Sequence, residues 1–334
     1  KVLIADEITT SLDPDTSQKI ILLLRTLCRS RGMALIFISH DIALAQQLCD
    51  RTIYMKDGAI VEPPQNISFE INSCDIKTSK SVLIKAQDLA VAYSHKKIFG
   101  KAVVSPCLEE VSFNIYKGET LAVIGKSGSD KSTLARTLCG LADEVTGNLT
   151  LFLEELSVDL RNKSQLDSSF RRHISMIFQD PISSLNPALS IQDSIAEPLL
   201  IHEPGMGRQS QIDAVFQVLD EVGLDPKLYA HKKPRHLSGG QCQRAAIARA
   251  LILNPKLVVC DEAVSSLDVK SQYQVLMLLE KLQEERQISY LFISHDPSVV
   301  KEFADRVLVI EDGKVVKIMS NDDFRVEFDY DKVS

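Results

Sequence analysis

The segment Leu257-Val-Val-Cys-Asp-Glu262 has a counterpart near the start of the chain, Val2-Leu-Ile-Ala-Asp-Glu7. Each is a run of apolar residues that ends in Asp-Glu. The likeness extends without a gap from residues 1–62 to residues 256–317 at a constant offset of 255, and 20 of the 62 aligned residues are identical. Both copies continue with Ser-Leu-Asp, Phe-Ile-Ser-His-Asp, Asp-Arg and Asp-Gly. A repeat of this length indicates that one structural unit, or part of one, occurs twice.

The repeated unit alternates between apolar strands and a helix. In the first copy, two continuous apolar runs have the pattern of strands buried on both faces, and residues 17–28 between them have helical spacing. Buried strands separated by helices predict a parallel sheet and therefore an α/β fold. Because Pro63-Pro64 ends the pattern, we assign residues 1–64 to this unit and the polar residues 65–80 to a linker.

A larger domain is predicted for residues 81–320. Residues 82–93 and 108–115 alternate in the manner of half-exposed antiparallel strands. Residues 180–236 contain several prolines and helical stretches, which is typical of a helical insertion between core strands. The acidic residues 321–334 have no periodicity and are treated as a C-terminal tail.

The composition is that of a soluble globular protein. The 334 residues have room for about two domains, and the net charge of −7 lacks the basic footprint of a nucleic-acid-binding protein. No apolar run approaches the roughly 18–20 residues that span a bilayer. The seven cysteines form no Cys-x-x-Cys pair, which favours small buried side chains in a reducing cytosol over metal ligands or disulfides.

The segment Gly125-Lys-Ser-Gly-Ser-Asp-Lys-Ser-Thr133 follows an apolar strand and opens a helical stretch. In this context backbone N–H groups can cradle phosphates, Lys131 can reach the β- and γ-phosphates of a nucleotide, and the Ser132 hydroxyl can hold Mg²⁺. Asp130 stands where the phosphate-loop pattern has its second glycine. An ordinary glycine- and serine-rich turn is therefore the alternative interpretation of this segment.

Five further side chains could act on a nucleotide, and each also has a plain structural alternative. Asp261 and Glu262 end a buried strand, where they could hold hydrated Mg²⁺ and polarise a water, or form an ordinary solvated strand end. His295 could contact a γ-phosphate or cap a helix. Gln179 could reach a metal ion or a water, or lie in a plain loop, and Tyr93 could stack on a base or pack within its strand.

The segment Leu237-Ser-Gly-Gly-Gln241 precedes the helical residues 244–251. A serine and two glycines at a helix start form a nest of N–H groups that binds anions. With the loop, the Asp-Glu pair and the histidine in this order, the sequence resembles the ATP-binding cassette (ABC) family of ATPases. The resemblance covers residues 82–320 as a complete domain and residues 1–62 as the C-terminal quarter of another.

The resemblance implies an ABC-type P-loop ATPase domain with a RecA-like parallel core, an antiparallel β subdomain and a helical subdomain, preceded by a partial second copy. The ATP-binding residues it implies are Tyr93, Gly125, Ser127, Gly128, Lys131, Ser132, Thr133, Ser238, Gly239, Gly240 and Gln241. The implied Mg²⁺ ligands are Ser132, Gln179 and Asp261, and the implied catalytic residues are Glu262, His295, Gln179 and Asp268. In the partial copy, the residues that match the same motifs are Asp6, Glu7, Asp13 and His40.

The resemblance also implies partners. ABC domains assemble head to tail, so that the phosphate loop of one faces the Leu-Ser-Gly-Gly-Gln motif of a second ABC domain, which lies in the same chain or in a homodimer. Phe178-Gln-Asp-Pro181 and Ser184-Leu-Asn-Pro187 are similar to the oligopeptide/dipeptide importer branch. That similarity implies membrane permease subunits, a solute-binding protein that acts through the permease, and a peripheral location on the cytoplasmic face of the inner membrane.

The main hypothesis is thus an ATPase that energises uptake of peptides or similar solutes. A soluble tandem ABC protein acting on ribosomes or DNA is one alternative, although the acidic charge disfavours nucleic acid as a partner. A catalytically impaired domain is the other, because the Asp130 carboxylate would repel nearby β- and γ-phosphates by on the order of 3 kcal/mol per charge. On that basis we expect Asp130→Gly to tighten ATP binding by about tenfold.

Overall fold

The computed structural model describes most of the chain. The described residues are 1–8, 14–39, 45, 48–56, 58–61, 81–95, 103–142, 144–154, 156–161, 168–265 and 267–327. The chain divides into two compact units, Lys1–Ser73 and Cys74–Ser334, which we call unit 1 and unit 2. The linker predicted at 65–80, the motif residues Asp13 and His40, and residues 328–334 lie outside the described residues, so the proposed domain limits stay a prediction.

Unit 1 has the strand–helix–strand order that the sequence predicts. Its described elements are β1 Val2–Asp6, α1 Pro14–Arg31, β2 Ala34–Ile38, β3 Tyr54–Lys56 and β4 Ala59–Val61. Strands β1 and β2 pair in parallel with Ile4 opposite Ile36, and β3 and β4 form an antiparallel hairpin.

Unit 2 contains a parallel and an antiparallel sheet. Its strands are β5 Val82–His95, β6 Val103–Tyr116, β7 Thr120–Ile124, β8 Glu144–Phe152, β9 Ser157–Asp159, β10 Ile174–Ile177, β11 Leu257–Asp261, β12 Ser289–Ile293, β13 Arg306–Glu311 and β14 Lys314–Ser320. One sheet has the order β10-β11-β12-β7-β13-β14, in which every neighbouring pair is parallel except β13 and β14. The other has the antiparallel order β6-β5-β8-β9.

The helices of unit 2 lie largely between β10 and β11. They are α2 Lys131–Leu138, α3 Ser168–Arg171, α4 Pro181–Ser184, α5 Ile191–His202, α6 Arg208–Glu221, α7 Pro226–Tyr229, α8 Gly239–Leu251, α9 Val269–Arg286, α10 Pro297–Phe303 and α11 Asn321–Glu327. A short 3₁₀ turn, Pro234–His236, precedes α8. The segment from α4 to α8 is the predicted helical insertion.

The parallel sheet separates two hydrophobic cores. On one face Phe292 packs with Ile195 and Ile247 of the helical insertion. On the other face Leu291 packs with Leu149 of the antiparallel sheet. Neighbouring residues of β12 therefore point into different cores, which explains why this strand is buried at every position.

The two copies of the repeat have the same local structure. Helix α1 and helix α9 each have 18 residues and begin and end at aligned positions. The β1–β2 register, with Ile4 opposite Ile36, recurs in β11–β12 as Val259 opposite Leu291. The repeat found in the sequence is thus also a repeat of secondary structure and strand register.

A helix begins within the segment that the sequence analysis treats as a C-terminal tail. Helix α11 begins at Asn321, and its Phe324 is fully buried against Val300, Val307 and Met319. Seven residues make only two helical turns, which is too short for an amphipathic period to be recognised in the sequence. The buried ring of Phe324 holds this helix on the domain, together with hydrogen bonds from Asn321 and Arg325 to the carbonyl oxygen of Lys301.

Candidate functional site

The carboxyl ends of four parallel strands bring the predicted motifs to one edge of the sheet. The loop after β7 begins at Gly125, and β11 ends in Asp261, which Glu262 follows. Gln179 follows β10, and His295 follows β12. Ligands of open α/β sheets bind at this edge, because the loops that leave neighbouring strands meet there.

The loop that follows β7 is shaped around glycine. Gly125 has φ +156°, and a Cβ on it would lie 2.1 Å from the carbonyl oxygen of Ile310, so no other residue fits. The Lys131 ammonium donates hydrogen bonds to the carbonyl oxygens of Gly125 at 2.8 Å and Lys126 at 2.7 Å. Burial lowers the pKa of Lys131, and the nearby Glu262 carboxylate opposes that shift. The lysine is thus held across the loop.

The start of helix α2 faces the end of β11. The Ser132 hydroxyl donates a hydrogen bond to Oδ1 of Asp261 at 3.0 Å. Burial raises the pKa of Asp261 even though Ser132 donates to it, so a cation there would relieve an unfavourable charge. A hydroxyl beside a carboxylate supplies the hard oxygen ligands that Mg²⁺ takes, and these residues therefore fit the ion. Within the described residues no group of three or more His, Cys, Asp or Glu side chains could hold a metal, so phosphate or water oxygens must complete such a site.

Glu262 is the centre of a second group of polar side chains. The Gln179 amide donates to Oε2 of Glu262 at 2.8 Å, and Nδ1 of His295 lies 3.7 Å from the same oxygen. This interaction with His295 lowers the pKa of Glu262, and the same interaction raises the pKa of His295. Both directions favour an ionised carboxylate beside a protonated imidazole. Glu262 can therefore accept a hydrogen bond or a proton from a water at this edge.

Asp130 makes a side-chain contact that the sequence analysis does not indicate. Its backbone is left-handed, with φ +67° and ψ +25°, and its side chain makes no capping hydrogen bond to the backbone of α2. Its Oδ1 instead accepts a hydrogen bond from the Thr133 hydroxyl at 2.9 Å. The carboxylate thus does not cap the first N–H groups of α2, but its charge opposes the burial that lowers the pKa of Lys131.

Comparison with known proteins identifies the family. The family model described as "ABC transporter" matches residues 108–265. The oligopeptide transport ATP-binding protein OppF of Escherichia coli (strain K12) is 42% identical over 252 residues, which cover 74% of this chain and 74% of OppF. This chain belongs to the ABC transporter family of ATP-binding proteins. An ABC cassette, MJ0796, solved as a dimer with ADP and Pi, is 29% identical with a TM-score of 0.60 over 72% of this chain and 99% of MJ0796.

Two longer ABC relatives match nearly the whole chain. The uncharacterised ABC transporter ATP-binding protein YejF of E. coli (strain K12) and the glutathione import ATP-binding protein GsiA of Pectobacterium atrosepticum are each 36% identical over 95% of this chain. The chain spans 63% of the length of YejF and 57% of that of GsiA. Among the described residues, no helix is both long and apolar enough to cross a membrane.

The Leu-Ser-Gly-Gly-Gln motif of this ABC domain lies at the start of α8. Ser238 and Gln241 form a capping box, in which the Gln241 N–H donates to the Ser238 hydroxyl and the Ser238 N–H donates to the Gln241 side chain. The Gln241 amide also donates to the Tyr229 hydroxyl. The structure places Gly239 and Gly240 in the first turn of α8, a separate position from the loop at residues 125–133.

Asp268 has a structural role that the sequence did not indicate. Its carboxylate is the N-cap of α9, accepting from the N–H of Ser271 at 3.1 Å and from its hydroxyl at 2.6 Å. The Ser271 hydroxyl would lie 3.7 Å from a Cβ on Gly240. Asp268 thus fixes a serine beside the first turn of α8, while its catalytic role stays a prediction.

Tyr93 lies on β5 opposite Ser105 of β6. Its hydroxyl is buried and has no hydrogen-bond partner in the described part of the chain. Base stacking by this ring also stays a prediction.

The sequence analysis missed two acidic residues at the loop. A pocket of about 160 Å³ is lined by Lys126, Ser127, Gly128, Ser129, Glu311 and Asp312. Glu311 ends β13, and Asp312 begins the turn to β14. Their signal in the sequence is the repeated Asp-Gly pair, which marks a turn but does not indicate that the turn borders the loop. That contact exists because β13 lies beside β7.

Proposed function

We propose that this chain binds and hydrolyses ATP as the energising subunit of a membrane importer for peptides or similar solutes. The observation that carries the proposal is the meeting of Lys131, Ser132, Asp261 and Glu262 at one edge of the sheet. The names of the relatives support the solute class, since OppF is an oligopeptide transport protein and GsiA a glutathione import protein.

Each group of site residues has a separate role in the proposed reaction. The N–H groups of residues 125–133 and the Lys131 ammonium bind the phosphates. Ser132 and Asp261, with Gln179 nearby, hold Mg²⁺, which neutralises phosphate charge when bound. Glu262 orients the attacking water and takes its proton, and His295 keeps that carboxylate ionised.

In this proposal the start of α8 faces a second ABC domain. Gly239 and Gly240 present N–H groups, and Ser238 a hydroxyl, to a nucleotide held by a second ABC domain. Because YejF and GsiA are longer and match 95% of this chain, we propose that unit 1 is the C-terminal part of a first ABC domain. In that arrangement Asp6 and Glu7 act with residues of that first domain.

We further propose peripheral attachment to permease subunits on the cytoplasmic face of the inner membrane. A solute-binding protein would then deliver the solute through the permease. Co-purification tests this location. Tagged protein should recover permease subunits from detergent-solubilised membranes, whereas recovery with ribosomes would favour the alternative of a soluble tandem protein.

Titration with Mg-ATP and a phosphate-release assay test the reaction. Lys131→Ala should weaken ATP binding by about tenfold or more, because a charge-assisted contact to phosphate is lost. Lys227→Ala, which removes an exposed lysine on α7, is the matched control and should leave affinity unchanged. Equal affinities in both variants would contradict the assignment of residues 125–133 as the nucleotide site.

A further inference from the structure

Tyr229 contacts the Leu-Ser-Gly-Gly-Gln motif from outside it. The residue ends the short helix α7, and its hydroxyl accepts a hydrogen bond from Nε2 of Gln241 at 3.1 Å. We infer that Tyr229 is a positioning residue, which orients the Gln241 amide and, through that amide, the first turn of α8. The inference rests on the proposed function, in which this turn faces a nucleotide held by a second ABC domain.

The side-chain amide of Gln241 is held at both of its ends. Its Oε1 accepts a hydrogen bond from the N–H of Ser238 at 3.0 Å, and its Nε2 donates to the Tyr229 hydroxyl at 3.1 Å. The first bond belongs to the capping box of α8, and the second reaches out of that helix. Without the hydroxyl one end of the amide would be free, and the side chain could rotate away from the Ser238 N–H.

The segment that carries Tyr229 is fixed by contacts that do not involve α8. The N–H of Lys232 donates to the carbonyl oxygen of Tyr229 at 3.0 Å, and the carbonyl oxygen of Lys232 accepts from the N–H of Ile191 in the first turn of α5 at 2.8 Å. The Lys232 ammonium also lies 4.5 Å from the centroid of the Tyr229 ring, within the range of a cation–π interaction. The hydroxyl is therefore a fixed point for the Gln241 amide.

The orientation of Gln241 decides which N–H groups at the start of α8 are available. The first N–H groups of a helix have no acceptor within the helix. The capping box takes the N–H groups of Ser238 and Gln241, which leaves those of Gly239 and Gly240 between them for an anion. Because Tyr229 holds the amide that completes the capping box, it preorganises the two donors that face the nucleotide of the second domain.

Residue-resolved hydrogen exchange of the folded full chain tests the contact without any nucleotide. Tyr229→Phe should speed exchange of the Ser238 N–H by about threefold to tenfold, because loss of one neutral hydrogen bond frees the amide that accepts from it. The N–H of Ser271, which donates to Asp268 at the start of α9, is the internal control. Tyr116→Phe, which removes the hydroxyl from another ring beside a cation, should change neither rate. Unchanged Ser238 exchange in Tyr229→Phe would overturn the inference.

Turnover and ATP affinity separate this role from a general loss of stability. Tyr229→Phe should lower turnover at saturating Mg-ATP by about threefold to tenfold, since the start of α8 acts on the nucleotide of the partner domain. Its dissociation constant for Mg-ATP should stay within about twofold of the wild type, because the chain's own nucleotide is bound by Lys131 and the loop at 125–133. Unchanged turnover, or a fall in turnover matched by an equal loss of affinity, contradicts the inference.

A double-mutant cycle decides whether Tyr229 acts through Gln241. Gln241→Met removes the amide from a side chain of similar length, so Tyr229→Phe should have no further effect on turnover in that background. An undiminished effect of Tyr229→Phe in the Gln241→Met background would mean that the hydroxyl acts by another route, and the inference would be wrong. If the wild type hydrolyses no ATP, the proposed function fails, but the exchange rate of the Ser238 N–H still decides whether Tyr229 positions Gln241.

Discussion

The two copies of the repeat have the same local structure, but several strand residues that are exposed in unit 1 are buried at the aligned positions of unit 2. In unit 1, Val2 and Ile4 of β1 are 62% and 64% exposed, and Ile36 of β2 is 51% exposed. The aligned residues of unit 2, among them Leu291, are fully buried. Strand register and helix length are nevertheless the same in both. The difference shows that these segments fold locally in the same way, while burial depends on the strands and helices around them.

The two copies also have the same backbone conformation at the glutamate of the Asp-Glu pair. Glu7 has φ +45° and Glu262 has φ +50°, both in the left-handed region. The backbone N–H of each acid donates to the aligned carbonyl oxygen, that of Ile38 for Glu7 and that of Ile293 for Glu262. The two acids thus share both backbone conformation and backbone partner, and the Glu262 side chain also accepts from the Gln179 amide.

The largest expected effect is on catalysis. Glu262→Gln should leave ATP binding largely intact and reduce turnover by roughly 10²–10⁴-fold, as loss of a general base does. Steady-state phosphate release checks this, with Glu285→Gln on the exposed face of α9 as the control. Glu7→Gln should reduce turnover by a smaller factor. If Glu7→Gln lowers turnover as much as Glu262→Gln does, the two copies are catalytically equivalent, and the proposed difference between them is wrong.

The next effect is on core packing. Leu291→Ala should lower the free energy of unfolding of unit 2 by about 2–5 kcal/mol, because it creates a cavity in a closed core. Ile36→Ala, at the aligned position, should cost less than about 0.5 kcal/mol, as exposed substitutions do. Hydrogen exchange of β12 and β2 peptides reports the opening free energy of each unit separately. A large cost at Ile36 would mean that another surface covers β2 in solution.

A pH effect is expected at Asp305, which aligns with the exposed Asp50. Burial raises the pKa of Asp305 to about 7, and Glu119 adds to the shift although the N–H of Thr120 donates to the carboxylate. Burial also raises the pKa of Glu119, against the effect of its partner Arg306. Since the folded state prefers protonated Asp305, its contribution to stability is complete below about pH 4 and is lost as pH rises through about 7.

Asp305→Asn should therefore stabilise unit 2 more at pH 8 than at pH 5, by about 2 kcal/mol. Urea unfolding at the two pH values measures the change. Asp50→Asn, at the aligned exposed position, is the matched control for the loss of a carboxylate. A pH-independent effect of Asp305→Asn would show that the carboxyl does not titrate on unfolding in this range.

The smallest effect concerns a helix end at which the copies differ. Gln287 ends α9 with φ +54°, and the aligned residue after α1 is Gly32 with φ +56°. Gln287→Gly should stabilise unit 2 by about 0.5–1 kcal/mol, because glycine adopts this conformation without steric cost. Gly32→Gln should destabilise unit 1 by a similar amount. Thermal or urea unfolding checks both variants. If Gln287→Gly is less stable than the wild type, the hydrogen bond from the Gln287 side chain to the carbonyl oxygen of Glu284 stabilises the helix end by more than the backbone strain destabilises it.

Much of the candidate site could be predicted from sequence, because its residues stand in short motifs after apolar strands. Lys131, Asp261 and His295 come together because parallel strands end at one edge, a rule that needs only the order of strands and helices. The side-chain direction of Asp130 could not be predicted, since the loop sequence does not indicate that its carboxylate accepts a hydrogen bond from Thr133. The position of Glu311 and Asp312 at the loop required the pairing of β13 with β7.

The sequence by itself determined the local structure: the 18-residue helices, the strand registers and the left-handed positions recur wherever the repeated residues recur. These features depend on hydrogen bonds and backbone sterics within one supersecondary unit. Only the tertiary structure decided which copy is buried and that Phe324 anchors a last helix. Burial depends on residues far apart in the chain, so similar local sequences reach different energies when their neighbours differ.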